Sequence, residues 1–498
     1  MRRRPRWLVT PFVILQAIDL PVSNSWSSTH SLIQTTRTGT CTSSRRCVAI
    51  RAVAVDAEKE NAAREADNAG PLSLSLEELA DILGGKGRAK SCWDCYQLGV
   101  DPLWFFENDD PNQREPIPHT LSKALSLSVE PETRSQIRER ITPRRQSQGM
   151  GRNALQKLRQ VVAVSPQPSA QKDNSATAKE TETETEPMDS MASIATVTQL
   201  HRSLDGTAKI VLQLTDGLQV ESVVIPWPDR ETSSLCISNQ VGCAQACTFC
   251  STGRMGELRS LTADEILVQM YWAAKVCRIF PGLYPIDACI FMGMGEAARN
   301  VQHVVRAASH LVDPQLFQLA PRRVTISTVA PSPKAFEELG KAPVVLAWSV
   351  HSSEDALRKK LVPTTKHQMV ELRDSLIKVL LGRPRKLRQI MLELALIENV
   401  NDRPQDAEHL AEFCNAFYEK VPGVKLVVNL IPWNDIAATS GPAKHYRKPS
   451  NGRILAFQKI LVGKDMLCYV RTTRGDDESA ACGQLATKAS SKPNNKTD

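Results

Sequence analysis

The 498-residue sequence has no apolar run of the roughly 18–20 residues that a membrane-spanning helix needs, so no membrane partner is expected. It also lacks a regular ladder of cysteines. There are 13, an odd number at irregular spacings, which argues against a secreted disulfide scaffold and for metal or catalytic use in a reducing compartment. Acid is scarce in one stretch. Residues 1–55 hold eight arginines, no lysine and a single acid, Asp19, so 8 − 1 = +7 of the formal +8 sits there and the remaining 443 residues share +1. A basic surplus points to nucleic acid, yet the body of this chain is nearly neutral. At 42% hydrophobic and 23% charged, it has the composition of a globular chain with a large core.

Composition divides the chain. Residues 1–55, rich in Arg, Ser and Thr, read as a cleaved organelle-targeting peptide. A secretory signal built on MRRRPR and Trp7–Ile18, or a tail without an address, are the competing readings. The organellar reading leads, the chloroplast before the mitochondrion. A short linker, 56–73, precedes a small helical domain at 74–131, with Ser75 as helix start and Gly84–Gly85 as stop. Inside it lies Cys92-Trp-Asp-Cys95, a conceivable redox or metal pair, though two packed cysteines flanking Trp93 is the stronger reading because no second pair follows. Residues 132–192 lose hydrophobic pattern and carry the acidic run KETETETEP, and are expected to be a disordered linker. A β-meander follows at 193–227, punctuated by Asp205-Gly206 and Asp216-Gly217.

From 228 to 474, six short apolar strands (235–241, 288–294, 323–329, 344–350, 388–396 and 424–432) alternate with helical stretches such as 262–278, 300–312 and 404–420. This pattern predicts an α/β core with a parallel sheet, either an incomplete barrel or a doubly wound sheet. In both, ligands gather at the C-terminal strand ends. That rule selects Cys243-Ala-Gln-Ala-Cys247-Thr-Phe-Cys250, Gly293-Met-Gly295-Glu296, Ser327, Ser349-Val350-His351 and Asn429. Three thiols at CxxxCxxC suit an iron–sulfur cube with one iron left open better than zinc, which commonly takes two CxxC pairs.

The CxxxCxxC spacing resembles the signature of the radical S-adenosylmethionine (SAM) superfamily. CISNQVGCAQACTFCSTGRMGELRSLTADEI, FMGMGE, VTIST, SVHS, VNLIPWN and TRGDDESAACGQLA are similar to the adenine-C2 methyltransferases of 23S rRNA and tRNA, the RlmN/Cfr group. The similarity covers residues 194–485 strongly and 74–130 weakly. It implies an incomplete (β/α)6 TIM-like radical SAM barrel with a small N-terminal helical RNA-binding domain, an accessory β-meander, a catalytic C-terminal segment at 475–485 and a disordered tail at 486–498. It assigns Cys243, Cys247 and Cys250 to a [4Fe-4S] cluster. Gly295, Glu296, Ser327, Ser349, Val350, His351 and Asn429 are assigned to SAM, two molecules of which are used per turnover. Cys482 matches the cysteine that is first methylated, Cys236 its resolving partner and Glu221 the proton acceptor. In the mechanism so implied, a 5′-deoxyadenosyl radical takes hydrogen from S-methyl-Cys482, the carbon adds to C2, and Cys236 releases the product as a Cys236–Cys482 disulfide.

Two departures stand out. Ala297 replaces the family's usual proline after GMGE, and IPWPDRETSSLC is two residues longer than the usual spacing. The resemblance further implies rRNA and tRNA as partners, a flavodoxin- or ferredoxin-type electron donor, a thiol reductant for the disulfide, and a monomer. Methylation at C8 of the same base, or an inactive RNA-binding relative, are the alternatives. The clusters Arg358-Lys359-Lys360 and Arg383-Pro-Arg385-Lys386-Leu-Arg388 are candidate phosphate contacts, and the C-terminal segment is expected to be mobile.

Overall fold

The computed structural model describes residues 70–124, 130–141, 150–163 and 189–487. The expected targeting peptide at 1–55, the expected linker up to residue 69 and the end of the expected tail, from residue 488, lie outside them. An antiparallel meander, β1 (Ala195–Arg202), β2 (Ala208–Leu214), β3 (Gln219–Trp227) and β4 (Thr232–Cys236), opens the sheet. The first two connections are the Asp-Gly turns, with Asp205 and Asp216 each accepting the backbone N–H two residues on. A separate hairpin, β5 (Gln240–Cys243) and β6 (Gly256–Ser260), precedes β7 (Ile286–Phe291), β8 (Val324–Thr328), β9 (Val345–Ser349), β10 (Gln389–Leu396), β11 (Lys425–Pro432) and β12 (Leu467–Val470).

The ten-stranded sheet runs β1-β2-β3-β4-β7-β8-β9-β10-β11-β12, parallel from β4 onward. Each parallel strand lies beside its predecessor in sequence. A doubly wound sheet instead reverses its order at a switch point, so this is the winding of an incomplete barrel. All eight residues of β10 and all five of β8 are buried, as strands covered on both faces require. β12 adds a seventh parallel strand to the six expected. The first expected strand ends early, because the chain leaves the sheet after Cys236 and its polar residues find buried partners on β3 and on the helix at 263–279. Ser238 donates to the Glu221 carbonyl, and its N–H reaches Gln269.

The N-terminal module packs into the barrel's own core. Ser75, the expected helix start, forms a capping box with Glu78, and Gly84 closes that helix in the left-handed conformation. Trp93 stacks edge-on between Tyr96 and Phe317. Cys92 and Cys95 are fully buried, and burial pushes both thiols well up, which leaves them neutral packing residues. Helix Ala263–Ile279, nearly all buried, forms the seam. Its Lys275 and Arg278 both pair with Glu115, and Lys275 reaches Asp189 at 2.9 Å.

The expected linker at 132–192 is partly helical. Arg134–Ile141 buries Ile137, and Arg152–Ala163 buries Ala154, Leu158 and Val162. These apolar residues recur every four positions, a helical stripe that the density of basic residues obscured. Among the described residues, no helix is long and apolar enough to cross a membrane.

Candidate active site

Beyond Cys236, β5 carries the chain to Cys243, and a loop carries it through Cys247 to Cys250. Gly242 is required there, at φ 77, because a Cβ would collide with the Gly256 carbonyl. The loop is held from several sides. Trp433 Nε1 donates to the Phe249 carbonyl at 3.1 Å, Thr248 N–H to the Leu361 carbonyl at 3.0 Å, and Ser251 N–H to the Gly483 carbonyl at 2.7 Å. All three thiols line one cavity of about 190 Å³.

The strand ends complete its walls. Gly295 and Glu296 follow β7, Ser327 and Ser349 face each other at 3.2 Å, and His351 follows β9. His351 adopts φ 55, and its Nδ1 accepts the Ala395 N–H at 3.0 Å, which places the ring proton on Nε2. Burial and the neighbouring Arg358 hold this imidazole neutral, its pKa well below the usual value. The Glu296 carboxylate accepts from Thr328 Oγ1, from Val329 N–H at 2.9 Å and from Ala298 N–H at 2.9 Å. It thereby caps the short turn that begins at Ala297, and that turn forms without the usual proline.

Cys236 and Cys482 line the same cavity. Burial pushes the Cys236 thiol up to about 12, with the adjacent Cys482 adding to the shift and Arg471 opposing it. Arg471, just past β12, lies 3.4 Å from Met292 Sδ, pairs with Glu393 at 3.7 Å and places its cation beside the Cys482 thiol, which raises the arginine's own pKa against the opposing effect of burial. Both cysteines are free thiols.

No protein-family model matches the chain. A crystal structure of a radical SAM methyltransferase from Sphaerobacter thermophilus is 34% identical, with a TM-score of 0.51, over 58% of this chain and 81% of its own. The chain belongs to the radical SAM methyltransferase family. A domain of a pyruvate-formate lyase-activating enzyme from Bacteroides vulgatus also aligns, over 37% of this chain and 98% of that one. At 14% identity and a TM-score of 0.29 it adds nothing to the assignment.

A radical SAM methyltransferase implies a [4Fe-4S] cluster and SAM, and the residues present fit them. The donors are three soft thiols. Burial pushes the Cys243 and Cys250 thiols up, and the backbone amides of Gln245, Thr252 and Gly253 oppose that shift, as donors around a cluster do. Among the described residues no three ligating side chains close on a single ion, and the cysteines instead border a shared space.

Two assigned SAM contacts stand apart in this radical SAM methyltransferase. Val350 and Asn429 are not among the cavity walls. The Asn429 amide is committed to Glu393 at 2.8 Å, and the Val350 carbonyl accepts from Arg358. Glu221 also lies beyond the walls, one alternation before Val223 on β3. Its carboxylate takes the Ala486 N–H at 2.9 Å and faces Lys209 at 3.5 Å. The C-terminal segment is hydrogen-bonded to the meander and to the chain after β11. Asp477 accepts from Ser203 and from the Leu204 N–H, and Gln484 Nε2 donates to the Asp435 carbonyl at 2.8 Å.

Part of each basic cluster turns inward, while Lys359, Lys360, Arg385 and Lys386 stay exposed. Arg358 is fully buried and donates to the Ser349, Val350 and Val329 carbonyls, so it braces the strand ends. Arg383 and Arg388 likewise cap internal carbonyls. Sequence reasoning missed Arg471, Glu393 and Trp227 at the site. Arg471 directly follows a strand, so the strand-end rule reaches it once β12 is counted.

Proposed function

We propose that this enzyme methylates RNA at C2 of an adenine, as the RlmN/Cfr-like motifs suggest, using Cys482 as methyl carrier and Cys236 as resolving thiol. The observation that carries this reading is the meeting of Cys236 and Cys482, from opposite ends of the barrel sequence, in the cavity that also holds the three-thiol loop. C2 lies between two ring nitrogens and is too electron-poor to attack a methyl donor directly. When bound, the cluster and SAM supply a transferable methyl group and a hydrogen-abstracting radical. Cys482 accepts the methyl on sulfur and carries it to C2. Cys236 then attacks the Cys482 sulfur, and the sulfur–carbon bond breaks as the disulfide forms. A thiol reductant restores the pair, and a flavodoxin- or ferredoxin-type donor supplies electrons. Arg471 sets a cation beside the Cys482 sulfur, which favours its thiolate form. Glu221 can take the C2 proton only if the contact with Ala486 opens.

The substrate would be 23S-type rRNA, with tRNA as a second substrate, in the organelle to which the Arg-rich residues 1–55 direct the chain. The test is nucleoside mass spectrometry on such RNA after incubation with anaerobically reconstituted enzyme, SAM and reductant. 2-Methyladenosine is expected. 8-Methyladenosine would move the reaction to C8, and unmodified RNA that still binds would leave an inactive binding protein.

A further inference from the structure

One wall of the cavity comes from the accessory meander rather than from the barrel. Val223, Ile225 and Trp227 alternate along β3, so their side chains share one face, and all three line the space that holds Cys236 and Cys482. Trp227 ends this apolar row. Its Nε1 donates to Ser234 Oγ at 2.9 Å, which fixes the edge of the indole and leaves its faces free of hydrogen-bonding duty. Arg474 lies over the ring, its guanidinium carbon 5.1 Å from the centroid. That planar cation is loosely held. It has one bond of 3.2 Å to the Asp205 carbonyl and a 4.0 Å approach to the Asp205 carboxylate, and a quarter of its side chain reaches solvent.

We propose that Trp227 is the stacking platform for the extruded nucleobase of the RNA substrate, with Arg474 occupying the position over the ring until the base displaces it. This rests on the RNA reading above. A base that reaches a buried reaction centre must leave its stack, and an aromatic face inside the cavity replaces the lost stacking. The displaced guanidinium is left beside the backbone that carries the base, where a phosphate is the natural partner. A purely structural pair, pinning the C-terminal segment to the meander, would give Trp227 no preference between RNAs that differ only in a base.

The test measures binding of the full reconstituted chain to a synthetic RNA stem–loop with one unpaired adenosine, and to the same stem–loop with an abasic site there. Stacking on an aromatic ring changes affinity by roughly tenfold or more per base. The unaltered protein should prefer the adenosine RNA by about that factor. Trp227→Ala should bind both RNAs equally, and so should Trp227→Leu, which keeps the wall apolar without a π-face. Trp227→Phe should retain most of the preference. Arg474→Gln should weaken both RNAs by the same factor. If Trp227→Leu retains the preference, or the unaltered protein shows none, the platform is overturned while the RNA reading stands. If the preference vanishes in Arg474→Gln alone, recognition belongs to the guanidinium and the proposal also fails. An unaltered protein that binds neither RNA overturns both the platform and the RNA reading.

Discussion

Two sulfurs, one at the end of β4 and one in a C-terminal turn, share a cavity with the Arg471 guanidinium. Each of the three has a separable role, so their substitutions should fail differently. Cys482→Ala should abolish methylation while the visible absorbance of the reconstituted cluster persists, since no cluster ligand is touched. Retained methylation would end the carrier mechanism. Cys236→Ala should instead stop the reaction after the carbon bond to RNA has formed, leaving an RNase-sensitive protein–RNA adduct on a denaturing gel. Arg471→Lys keeps a charge but loses the planar fork that reaches Cys482 and Glu393 together. S-methylation of Cys482, followed by peptide mass spectrometry, should slow, by roughly tenfold for each ~1.4 kcal/mol of thiolate stabilisation lost. Arg471→Met should also destabilise the fold by about 3–5 kcal/mol, because Glu393 is then left buried without a cation. A melting temperature unchanged in Arg471→Met would show that Glu393 does not depend on it.

At the scale of elements, apolar runs and helical periodicity in the sequence locate most of the barrel. The expected helix at 404–420 forms as Pro404–Lys420, and the strands near 324, 345 and 389 lie within a residue or two of their expected starts. Strand-end geometry likewise picked out Ser327, Ser349 and His351. What sequence could not convey was pairing across distance. Nothing local in Glu393 marks Arg471 or Asn429 as its partners, and nothing in RKK reveals that Arg358 turns inward while its neighbours face out. The helical module at 76–97 was legible as helix, but not as a part of the barrel's core. That docking depends on buried charge, including Asp101, which caps helix Pro102–Glu107 and accepts from Ser190 N–H at 2.8 Å. Burial raises its carboxyl from 3.8 to about 6, with the nearby Asp189 adding to the shift. A raised acid binds its proton more tightly when folded, so its contribution to stability is full below about pH 4 and is lost as pH climbs through about 6. Denaturant titrations of the unaltered chain and Asp101→Asn should therefore diverge across that window. The unaltered chain should lose stability relative to the variant as pH rises from 4 to 6, and parallel curves would contradict the shift.

Across the whole molecule, charge is distributed against a purely electrostatic view of substrate binding. Residues 1–55 hold +7 of the +8, and the remainder carries +1. Several arginines that look free in sequence are spent inside, as with Arg358, Arg383 and Arg278. A protein that gripped the proposed RNA mainly through phosphates would release many counterions. Its log affinity would then fall with log salt at a slope near −0.7 to −0.9 per phosphate contacted. The neutral body and the apolar cavity wall predict a different division of labour. With residues 1–55 present, eight arginines add up to about six units of slope if all engage RNA. That binding is indifferent to sequence and strongest at low salt. Without them, the slope should fall to a few units at most, while kcat/KM for methylation at physiological salt stays within about threefold, a difference of under about 1 kcal/mol. Comparing the full chain with one lacking residues 1–55 in a salt titration and a kinetic assay separates the two contributions. A large loss of kcat/KM on trimming would place substrate recognition in the arginine-rich segment. An unchanged slope would instead mean that the body carries more phosphate contacts than its net charge suggests.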